Sequence, residues 1–120
     1  MAKIARFLAN SNVVGYNQYN RTSLHAVCAS YGWDWKKIKK AIEHGTFPKC
    51  NTDCSAFFTV CVNLAYGKEK LPSDCTTHNL VYRCTVQHKA NFKLTKHFPP
   101  KKWCKGDAPI KEGKHIIINV

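Results

Sequence analysis

Apolar positions recur at helical spacing through the first two-thirds of the chain. Ile4, Phe7 and Leu8 share one face of a short, packed N-terminal turn. Leu24, Val27, Cys28 and Tyr31 form a second such face, opened by Thr22 or Ser23 and stopped by Gly32. Asp34 caps the next segment. There Trp35, Ile38, Ala41 and Ile42 lie on one side, Lys36, Lys37, Lys39 and Lys40 mostly on the other, and Gly45 ends the run. The segment from Cys54 to about Tyr66 is different. Ala56, Phe57, Phe58, Val60, Cys61, Val62, Leu64 and Ala65 cover most of its circumference, which predicts a central, buried helix. Thr52 or Asp53 caps it and Gly67 closes it. A shorter helix runs from a Thr76 or Thr77 cap through Leu80, Val81 and Cys84. Residues 12–20, rich in Asn, Tyr and Gly, and residues 47–51, with Pro48, read as loops.

The period changes after Lys89. Residues 90–96 alternate, with Phe92 and Leu94 on one side, and read as a strand. Gly106 and Asp107 precede a short apolar run to Ile110, and residues 111–113 suit a turn. His115 then opens Ile116-Ile117-Ile118, the strongest strand signal in the chain. Helices first and antiparallel strands last is an α+β pattern. The 120 residues make one domain, with no room for two cores.

Charge and cysteine count narrow the function classes. Nineteen Lys and Arg against seven Asp and Glu give +12, which favours contact with polyanions. The basic residues are dispersed, without a long basic block or a nucleic-acid module, so no specific nucleic-acid partner is expected. Seven cysteines cannot all pair internally, so at least one thiol is free, metal-bound or joined to another chain. No stretch approaches the roughly 20 apolar residues of a membrane span. The first ten residues lack the apolar core of a secretory signal, so synthesis without a signal peptide is expected.

Candidate chemistry gathers at three places. Cys54 begins the buried helix between Asp53 and Ser55, His115 begins the terminal strand, and Tyr16 and Gln18 lie in the polar N-terminal loop. A thiol at a helix N-terminus lies at the positive end of the macrodipole, where thiolate is favoured. Free N–H groups there can hold an oxyanion. A histidine on a crossing strand could take the thiol proton and return it to a leaving amine. Cys28, Cys61 and Cys84 fall on apolar helix faces and read as packing, while Cys50, Cys75 and Cys104 stay ambiguous. His25, His44, His78, His88 and His97 show no partner pattern and read as surface or capping residues.

These residues resemble a known family. Asp53-Cys54-Ser55-Ala56-Phe57 is similar to the Asp-Cys-Ser signature of the NlpC/P60 cysteine peptidases. Gly106-Asp107, an apolar segment, a turn and His115-Ile116-Ile117-Ile118 resemble that family's Gly-Asp and His strands. Gly15-Tyr16-Asn17-Gln18-Tyr19-Asn20-Arg21 resembles the Gly-Tyr-x-Gln-x-x-Arg opening of phage-encoded members. The resemblance spans residues 15–120. It implies a papain-like fold, with N-terminal helices and a central Cys-bearing helix packed on a C-terminal antiparallel sheet. It also implies hydrolysis of amide bonds in peptidoglycan stem peptides, by an endopeptidase or amidase that needs no cofactor. Cys54 carries over as nucleophile, His115 as general base and Tyr16 as an oxyanion donor. Asp53 carries over as helix cap and contact for a substrate amine, and Ser55 as a pocket residue. Gln18 and Arg21 are expected to brace the loop. The family's polar third residue follows the histidine on a later strand. Asn119, four positions on, stands about 13 Å away at strand rise, so that member is missing, supplied from elsewhere, or lost with a shortened C-terminus.

Two alternatives come from other classes. One is a basic polyanion- or wall-binding protein with an inactive peptidase fold. The other is a zinc-supported module drawing on Cys50, Cys54, Cys75, His78, Cys84 and Cys104, although no Cys-x-x-Cys pair occurs. The expected partner is peptidoglycan, with anionic wall polymers held through the basic surface, and the expected state is a monomer. The expected place of action is the bacterial cell wall, reached from the cytoplasm by phage lysis or tail delivery, with few or no disulfides.

Overall fold

In the computed structural model, residues 1–87 and 107–118 are described. The helices begin and end where capping chemistry dictates. Helix α1 spans Ala2–Asn10, a full helix where a single turn was expected, because Ile4, Ala5 and Leu8 are all buried along it. Helices α2 (Ser23–Ser30), α3 (Trp35–Glu43) and α4 (Cys54–Tyr66) follow. Asp34 caps α3 by accepting from the Lys37 amide, and Asp53 caps α4 by accepting from the Ala56 amide. Gly32, Gly45 and Gly67, all left-handed, follow the last turns. The next amide then reaches back to Cys28, Ala41 and Asn63 carbonyls respectively, a Schellman closure in each case. Helix α5 spans Leu80–Thr85 and is preceded by Asn79 rather than capped by Thr76 or Thr77. Those threonines lie in the turn before it, where the Asn79 side chain accepts from the Thr76 amide.

The two segments read as loops hold strands. Val14–Tyr16 (β1) pairs in parallel with Cys50–Thr52 (β2), with Tyr16 in register with Thr52. A 3-10 turn, Gln18–Asn20, follows β1. Three-residue strands of mixed polarity show no alternation, and their pairing is long-range, so local pattern does not reveal them. Gly15 permits the close approach, since a Cβ there would lie 2.6 Å from Asn51 Oδ1. Ser23 exchanges two hydrogen bonds with the Asn51 backbone and ties α2 to β2. The helices between Tyr16 and Cys54 thus form a crossover that leaves β1 and returns beside it.

Helix α4 is the shared wall of two apolar clusters, which explains its nearly unbroken apolar circumference. Val60, Cys61 and Leu64 face Leu8, Leu24, Cys28, Ile38 and Phe47. Phe58 and Val62 face Leu71, Cys75, Leu80, Cys84 and Ile116. The last of these belongs to a hairpin, Ile110–Lys111 (β3) and His115–Ile116 (β4), paired antiparallel. The terminal strand is therefore shorter than the Ile116–Ile118 pattern suggests. The predicted strand at residues 90–96, Gly106, Cys104, His88, His97 and Asn119 lie outside the described residues. The described fold is α+β, five helices with two small sheets. None of its helices is long and apolar enough to cross a membrane.

Candidate active site

The first turn of α4 is built around one guanidinium. Arg21, just after the 3-10 turn, donates from Nε to Asp53 Oδ2 at 2.6 Å. Its Nη2 donates to Ser55 Oγ at 2.9 Å and to the Cys75 carbonyl at 2.6 Å, and Nη1 reaches the Ser73 carbonyl at 3.3 Å. The Ser55 hydroxyl donates to Asp53 Oδ1 at 3.1 Å, and the Ala56 amide donates to the same oxygen at 2.9 Å. Both carboxylate oxygens of Asp53 are thus occupied by the protein's own donors. Burial alone would push the Asp53 carboxyl up. The Arg21 guanidinium, the Ala56 amide and the Ser55 hydroxyl together outweigh it and hold the group below its ordinary range.

The 73–75 segment that Arg21 holds is bound by a second arginine as well. Arg83 pairs with Asp74 through Nη1 and Nη2, and its Nη1 also donates to Cys75 Sγ at 3.3 Å. Burial raises the Cys75 thiol, and Arg83 offsets part of that rise.

Cys54 lies between Asp53 and Ser55 as the first residue of α4. Among the described residues it is the one cysteine that is not buried. Cys28 is pushed up to about 12 by burial and by Cys50, while burial pushes Cys50 and Cys84 to about 11. Cys61 is raised further, by burial first and by Cys28 second. Cys28, Cys61 and Cys84 are packing residues as expected. The two ambiguous loop thiols, Cys50 and Cys75, are buried as well. All six described cysteines are free thiols, and no three His, Cys, Asp or Glu side chains among the described residues gather closely enough to hold a metal ion.

The other expected site residues fall as follows. Parallel pairing sets Tyr16 beside Thr52, two residues before Cys54. Its side chain is 63 % exposed, and its hydroxyl accepts from Gln18 Nε2 at 3.3 Å. Asp53 and Ser55 are together, but Ser55 is only 4 % exposed and lies under the turn. His115 is exposed on β4, in register with Lys111. Alternation along the strand turns Ile116 inward instead, into the cluster that Cys54 also borders. No hydrogen bond joins Cys54 to His115 among the described residues.

Arg21 was read as a brace for its own loop. Its partners prove to be 32 to 54 residues away. The one local signal was an arginine closing a polar segment in a chain poor in carboxylates. His25, read as a surface or capping residue, is buried. Its Nε2 meets Glu69 Oε1 at 2.9 Å, and its ring stands edge-on to Trp33 with centroids 4.8 Å apart. Both partners lie outside its own helix, so spacing could not reveal them.

Comparison with curated proteins and with solved structures finds no match. A family model, that of the endolysin-like domain, matches residues 1–120. The chain belongs to the endolysin-like domain family.

Proposed function

We propose that this domain is a cysteine peptidoglycan hydrolase with an NlpC/P60-like, papain-like site, cleaving amide bonds of stem peptides at the bacterial cell wall during phage lysis or tail delivery. The observation that carries the reading is the placement of Cys54: a partly buried cysteine, the one described cysteine not fully buried, at the first position of a buried helix whose cap is fixed by Asp53. Membership of the endolysin-like family supports the substrate class.

In this reading His115 accepts the Cys54 proton as sulfur attacks the scissile carbonyl carbon. The developing oxyanion takes hydrogen bonds from the α4 N-terminal amides and the Tyr16 hydroxyl. His115 then gives its proton to the leaving amine, and the thioester remains on Cys54. Water, deprotonated by His115, attacks that thioester and restores the thiol. Asp53 and Ser55 hold the turn that carries Cys54, and Asp53 Oδ2, which takes the Arg21 bond alone among the described donors, is the oxygen that would meet a substrate amine. The reading requires the exposed His115 to reach Cys54 when substrate is bound. Catalytic hydrogen bonds are often long in the free enzyme and tighten in the complex.

A second reading, an inactive peptidase fold that holds anionic wall polymers, is favoured by the exposed Lys36, Lys37, Lys39 and Lys40 on α3. Purified peptidoglycan separates the two. New free amines should appear with the wild type and be lost with Cys54→Ala and His115→Ala. Equal release by all three removes the enzyme reading. Wall binding without any release, weakening with salt, establishes the second.

A further inference from the structure

Arg21 reaches more of the candidate site than any other described side chain. Its fork grips the residues on both sides of Cys54, through the Asp53 carboxylate and the Ser55 hydroxyl. The same group holds the Ser73 and Cys75 carbonyls. Those carbonyls belong to the segment that Arg83 also anchors, through Asp74 and Cys75 Sγ. One planar cation therefore sets the distance between the thiol-bearing turn and the 73–75 segment. Lysine could offer a point charge there but not a fork with four acceptors.

We propose that Arg21 is a positioning residue for the Cys54 chemistry. It acts through Asp53 and Ser55 to fix the direction of the thiol, and through Ser73 and Cys75 to fix the wall beside it. The inference rests on the hydrolase reading for its catalytic consequence, but not for its structural one. Arginine touches no reacting atom in this account. Its removal should leave substrate binding largely intact and misalign the attacking sulfur. Misplacement of a reacting group by about 1 Å costs on the order of 100-fold in rate.

The test combines kinetics with hydrogen exchange on Arg21→Ala and Arg21→Lys in the full chain. With soluble stem-peptide fragments, kcat should fall about 10- to 100-fold in Arg21→Ala while KM moves less than about threefold, and Arg21→Lys should recover part of kcat. Amide exchange should rise at residues 54–57 and 73–76 and stay at the wild-type level at residues 60–66. If Arg21→Ala does not fold, Arg21→Lys carries both measurements. A folded variant with wild-type kcat, a loss confined to KM, or exchange that rises evenly along α4 overturns the proposal. A wild type that releases no amine refutes the hydrolase reading instead. The exchange pattern then decides alone, with local release supporting a positioning role for the turn and an even rise or no change refuting it.

Discussion

The two ends of α4 solve the same problem with different chemistry. Each end holds a neighbouring loop by a polar hub. At the C-terminal half the hub is Asn63, neutral and fully buried. Its Nδ2 donates to the Leu71 carbonyl at 2.8 Å, and its Oδ1 accepts from the Lys70 and Leu71 amides at 2.9 and 2.8 Å. At the N-terminal end the hub is Arg21, charged and partly open, with side-chain exposures of 21 % for Arg21 and 12 % for Asp53. Among the described residues the Asn63 amide meets backbone groups alone, as a packing device does. The cationic hub stands at the edge of the core and holds the residues on either side of the partly buried Cys54. The contrast sets a neutral, buried hub against a charged, partly open one on a single helix.

The comparison can be broken in several ways, beginning with the largest effect. Cys54→Ala should abolish amide hydrolysis, a loss of at least about 1,000-fold, because removal of a nucleophile leaves only residual binding contributions. Its melting temperature should stay near that of the wild type, measured by circular dichroism, since Cys54 only borders a cluster. Asn63→Ala should do the reverse. It leaves three backbone groups without their partner, two of them in buried bonds, and should lower stability by about 3 kcal/mol or more, read from urea unfolding, with intact kcat in the folded fraction.

Arg21→Ala should fall between, at about 1–3 kcal/mol, because its charge-assisted bonds are partly open to solvent. Its pH dependence has a definite sign. The folded Asp53 carboxyl lies below its unfolded value, so its contribution is complete above the unfolded pKa of about 4 and is lost as pH falls through the folded value. The stability gap between wild type and Arg21→Ala should therefore be constant near neutrality and shrink in acid.

A smaller effect concerns the hairpin. Gly113 has a left-handed φ of 71°, and a Cβ there would meet His78 Cε1 at 2.7 Å. Gly113→Ala should cost about 1–2 kcal/mol and loosen the strand that carries His115, lowering kcat alongside stability. Unchanged activity in that variant would argue against a catalytic His115.

What could be read from the sequence follows the range of the interactions involved. Asp34 and Asp53 act within one turn of their own helices, and Gly32, Gly45 and Gly67 end theirs locally, so α2, α3 and α4 were legible to within a residue or two. The crowding of apolar side chains around α4 gave its central place, because a helix between two clusters has no polar face to spare. The β1–β2 pair was not legible. Tyr16 meets Thr52 only after two helices have intervened, and Gly15 and Asn51 carry no strand signal. Of the site, the Asp53-Cys54-Ser55 turn was visible in one tripeptide, since cap and thiol are neighbours in the chain. The hub that fixes it was not, because Arg21 gains its meaning from Asp53 and Cys75. His25 was misread for the same reason: Glu69 and Trp33 bury it from other segments.

The central claim, that Cys54 forms a bond to the substrate, is tested most directly by trapping that bond. Wild-type protein mixed with soluble stem-peptide fragments and quenched in acid within milliseconds should carry an added acyl mass on the peptide containing Cys54. The mass should vanish in Cys54→Ala and decay in the wild type as free amine accumulates. Hydrolysis that proceeds at the wild-type rate in Cys54→Ala, with no acyl mass on that peptide, would contradict the account.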